Sequence, residues 1–168
     1  YVCGTSKTVA PGLRIGYLVA PPAKVRALAN AVYATTWSTP PLTAEIVTAW
    51  IESGVAERML AWHRAESARR QAAAREILGG FDILAQPIGY HLWLRLPPDW
   101  RGNDFVAAAN AYGAALPSSS PFSVDPSATP RAVRLSLGLP ESQARMEEGL
   151  RRVADTLRRH SLPKSVVV

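Results

Sequence analysis

The stretch YVCGTSKTVAPGLRIGYLVA, residues 1–20, is the most informative part of the chain for the fold. The runs Tyr1–Cys3 and Leu13–Val19 predict strands, and Pro11 with Gly12 predicts a turn between them. Lys7 stands in the segment that joins the two strands. A lysine beside apolar strands is uncommon, because its ammonium is rarely buried without a partner. A desolvated lysine loses its proton more readily and can attack a carbonyl carbon to form a Schiff base.

Two polar side chains accompany Lys7 in this stretch. Ser6 precedes it, and Arg14 follows seven residues later. The guanidinium of an arginine can bind a phosphate through two parallel hydrogen bonds. An amine, a hydroxyl and a guanidinium around one loop therefore suit an aldehyde that carries a phosphate. A surface lysine after a tight turn, with an arginine paired to a carboxylate, is the alternative that these residues leave open.

The whole segment resembles the lysine segment of fold-type I pyridoxal-phosphate enzymes, the aspartate aminotransferase superfamily. The similarity lies in the runs SKT at residues 6–8, APGLR at 10–14 and GY at 16–17. It implies that Lys7 is the catalytic residue, which carries pyridoxal 5'-phosphate as a Schiff base, and that Ser6 and Arg14 bind the phosphate. The family usually has a serine three residues before the lysine, where this chain has Gly4. We expect the hydroxyl of Thr5 to contribute to phosphate binding in its place.

A second matching site lies far downstream. Arg134 stands in the run RAVRLSL, residues 131–137, which predicts a strand. In the family, an arginine at this place binds the α-carboxylate of the amino-acid substrate, so the resemblance implies a substrate-binding role for Arg134. A salt bridge on an exposed sheet face is the alternative. The run HLWLRLP, residues 91–97, is similar to a strand signature of MocR-type domains, although His91 and Trp93 could also be ordinary sheet residues.

Composition predicts a globular protein with a substantial core, since 48% of the 168 residues are hydrophobic and 19% are charged. The net charge of +6 permits an anionic ligand, but the arginines are spread over helical faces rather than gathered in one basic block. The single cysteine, Cys3, excludes an internal disulfide and fits a cytoplasmic protein. No apolar run approaches the ~20 residues that span a bilayer. We expect no metal site, because His63 has no second ligand at helical spacing.

The remaining sequence predicts helices, then a mixed region. Residues 23–34 and 42–78 have helical patterns, the second divided near Gly54, and the segment TTWSTPP between them predicts a loop with a buried aromatic, Trp37. Beyond Gly80 we expect strands at 81–84, 90–96, 122–124 and 131–137, and helices at 104–113 and 142–159. The last helix has a regular apolar stripe. This order predicts an α+β unit whose helices cover one face of a small antiparallel sheet.

The fold class is therefore α/β, and by resemblance the chain is the C-terminal portion of a fold-type I aminotransferase. Residues 1–41 would be a remnant of the large cofactor domain with two of its strands, and residues 42–79 the connecting helices. Residues 80–160 would form the small α+β domain, and residues 161–168 a tail. Because the chain opens in mid-strand beside Lys7, we expect the rest of the cofactor domain to lie upstream. We expect this portion alone to be inactive and to bind pyridoxal phosphate weakly or not at all.

Residues 8–21 have the sequence TVAPGLRIGYLVAP. Within the superfamily, this segment most resembles the aminotransferase-like domains of MocR-type GntR-family transcription regulators. The leading hypothesis is thus that the chain is part of a regulator's effector domain, which would bind an amino acid or amine. Such a protein would be a homodimer and would contact DNA only through an upstream winged-helix domain. A catalytic aminotransferase of the 2-aminoadipate type is the first alternative. A binding or structural α/β domain without cofactor is the second.

Overall fold

The structure, a computed structural model, describes residues 1–160, so the predicted tail at 161–168 lies outside the described residues. The chain forms two units, Tyr1–Arg64 and a second that begins at Ala65. Five strands and five helices are described, in this order: β1 Val2–Gly4, β2 Gly16–Leu18, α1 Pro22–Thr36, α2 Pro41–Glu52, α3 Val55–Leu78, β3 Ile83–Ala85, β4 His91–Arg95, α4 Gly102–Ala111, β5 Ala132–Ser136 and α5 Gln143–His160. The helix α3 crosses the boundary between the units.

In the first unit, β1 and β2 pair in antiparallel fashion, with Val2 opposite Leu18 and Gly4 opposite Gly16. The segment between them contains two 3-10 turns, Thr5–Lys7 and Pro11–Leu13. This confirms the prediction of two strands that flank the Lys7 segment. The pairing brings the residues after β1 next to those before β2, which matters for the site described below.

The helix α1 forms where the apolar periodicity predicts it, and it begins at Pro22, the second of two prolines, a residue that suits the first position of a helix. The prediction of a buried Trp37 is wrong, because 72% of its surface is exposed and its ring contacts Tyr33 at a centroid distance of 4.8 Å. The predicted break near Gly54 is confirmed. Gly54 has φ +72°, a conformation that glycine adopts without steric cost, and it separates α2 from α3.

The second unit contains a three-stranded antiparallel sheet in the order β3-β4-β5. Leu92 lies opposite Leu135 and Leu94 opposite Val133, and all four side chains are buried on one face of the sheet. Their cluster includes residues of α3, α4 and α5, so helices cover that face, as predicted: Ala74, Leu78, Phe105, Ala109, Met146, Leu150, Val153, Ala154 and Leu157. The mixed α/β fold class is thereby confirmed.

The predicted strand at 122–124 is wrong. Residues Ser120–Phe122 form a 3-10 turn, and an isolated bridge between Ser118 and Val133 extends the sheet beyond β5. Pro121 favours this outcome, because its fixed φ suits the start of a helical turn, and that turn includes Phe122.

Candidate functional site

Lys7 lies on a short turn whose other two residues face different environments. It is the last residue of the 3-10 turn Thr5–Lys7, and its side chain is exposed. Thr5 is 3% exposed, and its hydroxyl donates to the carbonyl of Ile15 at 3.1 Å. The backbone N–H of Thr5 also donates to that carbonyl, at 2.9 Å. Thr5 therefore ties the turn to the residue before β2.

Arg14, at the other end of the loop, contacts the same turn. Its Nη1 donates to the Ser6 hydroxyl oxygen at 3.3 Å, and both contacting side-chain ends are exposed. Among residues 1–160, no carboxylate forms an ion pair with Arg14. Ser6 and Arg14, which the sequence analysis assigned to one phosphate site, thus lie together on the turn that carries Lys7.

The backbone of Arg14 is in the left-handed region, with φ 54° and ψ 31°. This conformation is uncommon for residues other than glycine, asparagine and aspartate, because the Cβ crowds the following carbonyl. A left-handed residue of this kind is held by its surroundings and is often found at functional sites. Here the next residue, Ile15, is buried and accepts both hydrogen bonds from Thr5.

The rest of the loop is held by hydrogen bonds to its backbone. The carbonyl of Thr5 accepts from the N–H groups of Thr8, Val9 and Ala10 at 2.8–3.2 Å. His63 of α3 places Nε2 at 3.0 Å from the carbonyl oxygen of Val9, and since a carbonyl only accepts, this nitrogen carries the proton. Lys7 consequently lies on a turn that several backbone hydrogen bonds hold in place.

These residues fit a phosphorylated aldehyde. A phosphate needs several N–H or O–H donors, and the guanidinium of Arg14 has donors beyond the one it gives to Ser6. The Ser6 hydroxyl and the Lys7 amine lie on the adjacent turn. The buried Thr5 hydroxyl is already engaged with Ile15, so the arrangement favours Ser6 and Arg14 over Thr5 as phosphate ligands.

Arg134 lies in the second unit, which we describe by itself. It stands in the middle of β5, directly opposite Trp93 of β4, on the face of the sheet that the helices do not cover. Its Cζ lies 4.3 Å from the ring centroid of Phe122. Its Nε is buried and has no hydrogen-bond partner. Among residues 1–160, no carboxylate forms an ion pair with Arg134, so the salt-bridge alternative has no partner there.

Sequence reasoning missed two residues of these clusters. Phe122 was assigned to an edge strand, yet its ring lies against the Arg134 guanidinium. The two are twelve positions apart in the chain, and no periodic pattern connects them. Sequence reasoning assigned no metal-binding role to His63 and did not predict its contact with Val9, through which it supports the Lys7 loop. Only the aromatic neighbour Trp62 marked His63 as a residue at the edge of a packed surface.

Within residues 1–160, no three side chains of the His, Cys, Asp and Glu types are placed to bind a metal ion together. None of the helices described is both long and apolar enough to cross a membrane.

The sequence profile of the family described as "Aminotransferase class I and II" matches residues 2–153. Two transcription regulators of the helix-turn-helix (HTH) type from Bacillus subtilis (strain 168) are similar to the chain. YdeF is 31% identical over 94% of this chain and 35% of its own length. YisV is 32% identical over 56% of this chain and 20% of its own length. The chain thus spans about a third, or less, of the curated relatives it matches.

Solved aminotransferase structures share the fold. The kynurenine aminotransferase of Pyrococcus horikoshii, in complex with PMP, superposes with a TM-score of 0.85 at 23% identity, over 96% of this chain and 41% of that one. LysN, the α-aminoadipate aminotransferase of Thermus thermophilus, gives a TM-score of 0.78 at 23% identity, over 95% and 41%. With a family profile that matches nearly the whole chain and a fold shared with these enzymes, the chain belongs to the aminotransferase class I and II family.

Proposed function

We propose that this chain is the C-terminal part of a pyridoxal-phosphate-binding, aminotransferase-like effector domain in a GntR-family regulator of the MocR type. The observation that supports it most directly is the similarity to an HTH-type regulator along 94% of the chain. The family profile supports the aminotransferase-like domain, and the turn around Lys7 supports a phosphate-bearing cofactor. The remaining two thirds of such a protein would supply the rest of the cofactor domain and the DNA-binding domain.

Lys7 is the proposed point of attachment for the cofactor. Lys7 is an exposed residue on a turn that the hydrogen bond between Thr5 and Ile15 holds in place, so the backbone that carries it is already ordered. The proposed phosphate ligands are Ser6 and Arg14, with Thr5 as the residue that holds the turn. Bound pyridoxal phosphate would supply an electron-withdrawing ring conjugated to the ligand's nitrogen.

The ligand is proposed to be an amino acid or amine. Arg134 binds its carboxylate, since this guanidinium has no carboxylate partner of its own and can offer two parallel N–H donors. Lys7 would hold the cofactor, and its Nζ, when not attached to it, would be able to accept a proton from the ligand's α-carbon. In a regulator, binding of the ligand alone would serve as the signal, because a ligand that binds one domain arrangement better shifts the population towards it.

A catalytic aminotransferase of the 2-aminoadipate type is the second candidate, since LysN shares the fold. The two functions use the same residues of this chain and differ in whether the proton on the α-carbon is moved. The regulator is favoured because the curated relatives are HTH-type regulators. For the complete protein we propose a cytoplasmic homodimer that contacts DNA through an upstream winged-helix domain.

The test uses the complete gene product, mixed with pyridoxal phosphate. We expect a visible absorbance band that Lys7→Ala abolishes. Lys24→Ala is the matched control, because Lys24 is an exposed lysine of the same unit, in the first turn of α1. A band that survives Lys7→Ala would overturn the role of Lys7, and the absence of a band in the unmodified protein would favour the cofactor-free domain.

The same preparation separates regulator from enzyme. Amino acids are screened for a change in the visible band, and each that produces one is then tested with a 2-oxo acid acceptor. The regulator proposal predicts a change in binding to operator DNA with little or no transfer of the amino group. Rapid transfer to the acceptor, without any effect on DNA binding, would establish the aminotransferase instead.

A further inference from the structure

Phe122 and Trp93 form what we call the aromatic support of Arg134. The Arg134 Cζ lies 4.3 Å from the Phe122 ring centroid, well within the ~6 Å over which a cation is attracted to an aromatic face. Trp93 contacts Phe122 edge to face, with centroids 5.3 Å apart and ring planes at 88°. Trp93 is also the cross-strand partner of Arg134. Each of the three side chains therefore has the other two as neighbours.

The backbone beneath Phe122 is tied to β5. The N–H of Phe122 donates to the Ser119 carbonyl at 2.9 Å, and the N–H of Ser119 donates to Ala132 at 3.0 Å. The Ser119 hydroxyl, in a residue that is 4% exposed, donates to the Pro130 carbonyl at 2.5 Å. The N–H of Arg134 itself donates to Pro117 at 3.1 Å. The ring of Phe122 is thus held in register with the strand that carries Arg134.

Arg70 shows what an arginine of the same unit looks like when its role is structural. Its Nε donates to Glu66 at 2.7 Å, and its Nη1 donates to the carbonyls of Leu137 and Pro140 at 2.6 and 3.0 Å. Arg134 has a buried Nε without a partner and an aromatic ring in place of a carboxylate. The Arg134 Cζ lies over the Phe122 ring. A guanidinium that stacks on an aromatic face keeps the N–H groups in its own plane able to donate.

We infer that Phe122 is a positioning residue: it orients the Arg134 guanidinium for in-plane, bidentate binding of the ligand's carboxylate, and Trp93 holds Phe122 in place. This rests on the proposed function. An arginine has several rotatable bonds, so a fork that is already oriented loses less freedom when it binds a carboxylate. The aromatic support attracts the guanidinium cation without accepting hydrogen bonds from the N–H groups that the carboxylate needs.

The test compares two probes that differ only by the carboxylate. In protein whose cofactor is attached to Lys7, the amino group of aminooxyacetate or O-methylhydroxylamine attacks the imine carbon. An oxime forms, the Lys7 amine is released and the visible band is lost. The complete protein, loaded with cofactor, is mixed with each probe, and the ratio of the two second-order rate constants measures the preference for the carboxylate. Arg134→Gln sets the ratio expected when the guanidinium is absent.

Phe122→Leu keeps an apolar side chain but removes the ring, and Phe122→Tyr keeps the ring. We expect Phe122→Leu to lower the carboxylate preference about 3- to 30-fold, the range of a cation–π contact, with little change for O-methylhydroxylamine. Phe122→Tyr should retain most of the preference. Rescue by the aromatic variant alone distinguishes orientation of the guanidinium from filling of space.

An independent readout does not need the cofactor. In protein labelled with ¹⁵N-arginine, the Nε–H signal of Arg134, assigned by its loss in Arg134→Gln, should carry a ring-current shift that Phe122→Leu removes and Phe122→Tyr keeps. A Phe122→Leu protein with both the signal and the carboxylate preference unchanged would overturn the inference, as would an equal loss for both probes. If Arg134→Gln keeps the preference, the proposed carboxylate site is itself wrong, and the role of Phe122 fails with it.

Discussion

The two units of the chain differ in how they bury their apolar side chains. The second unit has one contiguous core in which Phe105 and Leu94 are 0% exposed. The first unit, Tyr1–Arg64, buries only Val9, Ile15 and Val47 among its hydrophobic residues. Many of its large apolar side chains are exposed: Tyr1, Val2, Tyr17, Leu18, Val19, Val25, Val32, Tyr33, Trp37, Leu42, Ile51 and Trp62. A unit can therefore position a site locally without having a core that stabilises it.

The largest expected effect follows from separating the two regions. We expect a protein of residues 55–160, which keeps α3 whole, to unfold cooperatively in urea, because its core is complete. Residues 1–54 alone should show no cooperative transition, since ordering the chain costs more free energy than its few buried side chains return. Circular dichroism during a urea titration measures both. A cooperative transition in residues 1–54 would show that the comparison is mistaken.

Single truncations test the same contrast within one chain. Phe105→Ala removes a fully buried ring that contacts Trp100 edge to face, and should lower the free energy of unfolding by about 3–5 kcal/mol. Trp37→Ala removes a larger but mostly exposed ring and should cost under about 1 kcal/mol. Urea unfolding of the 168-residue chain gives both values. Equal losses would mean that Trp37 is buried in solution.

The smallest expected effect concerns the two ion pairs that Glu66 forms in the second unit, with Arg69 and Arg70. Hydrogen bonds from Arg69 and Arg70 hold the pKa of Glu66 below its ordinary value. A carboxyl whose pKa is lower in the folded state stabilises the fold fully above its unfolded pKa, near 4.5, and this contribution is lost as the pH falls through the folded value. Glu66→Gln should therefore cost only about 0.5 kcal/mol at pH 7, because solvent screens these partly exposed pairs, and should make stability less sensitive to acid.

Glu76→Gln is the matched control for Glu66→Gln, because Glu76 is an exposed carboxylate on the same helix. Unfolding is measured between pH 3 and pH 7 in all three proteins. If the Glu66 and Glu76 variants retain the same pH dependence as the unmodified chain, Glu66 does not contribute as described.

Local sequence patterns predicted most of the helices and strands. The incorrect predictions concern contacts between residues that are distant in the sequence. The stripe of α5 was readable from spacing alone, and Met146 and Leu150 are 2% and 4% exposed. The break at Gly54 was readable because glycine adopts positive φ freely. Trp37 was misjudged because hydrophobicity does not reveal whether a partner surface is present. Phe122 was misjudged because its partner, Arg134, is defined by the fold rather than by spacing.

The candidate site also contains contacts that the sequence could predict and contacts that it could not. The proximity of Ser6 to Arg14 could be expected from two strands that flank one loop, and the structure places these side chains 3.3 Å apart. The inward position of Thr5 could not be expected from the sequence, because it depends on which hydroxyl reaches the carbonyl of Ile15. The roles of Lys7 and Arg134 in binding remain predictions for the experiments described above.

The left-handed backbone of Arg14 has a consequence for engineering and for evolution. A redesign guided by backbone preference alone would choose glycine at this position, since glycine adopts φ 54° without strain. The substitution would relax the loop and delete the guanidinium that meets Ser6. Under the proposed phosphate-binding role of Arg14, stability and ligand binding would select different residues at one site. That role predicts that a chain of this family without an anion at this turn would drift from arginine to glycine or asparagine there.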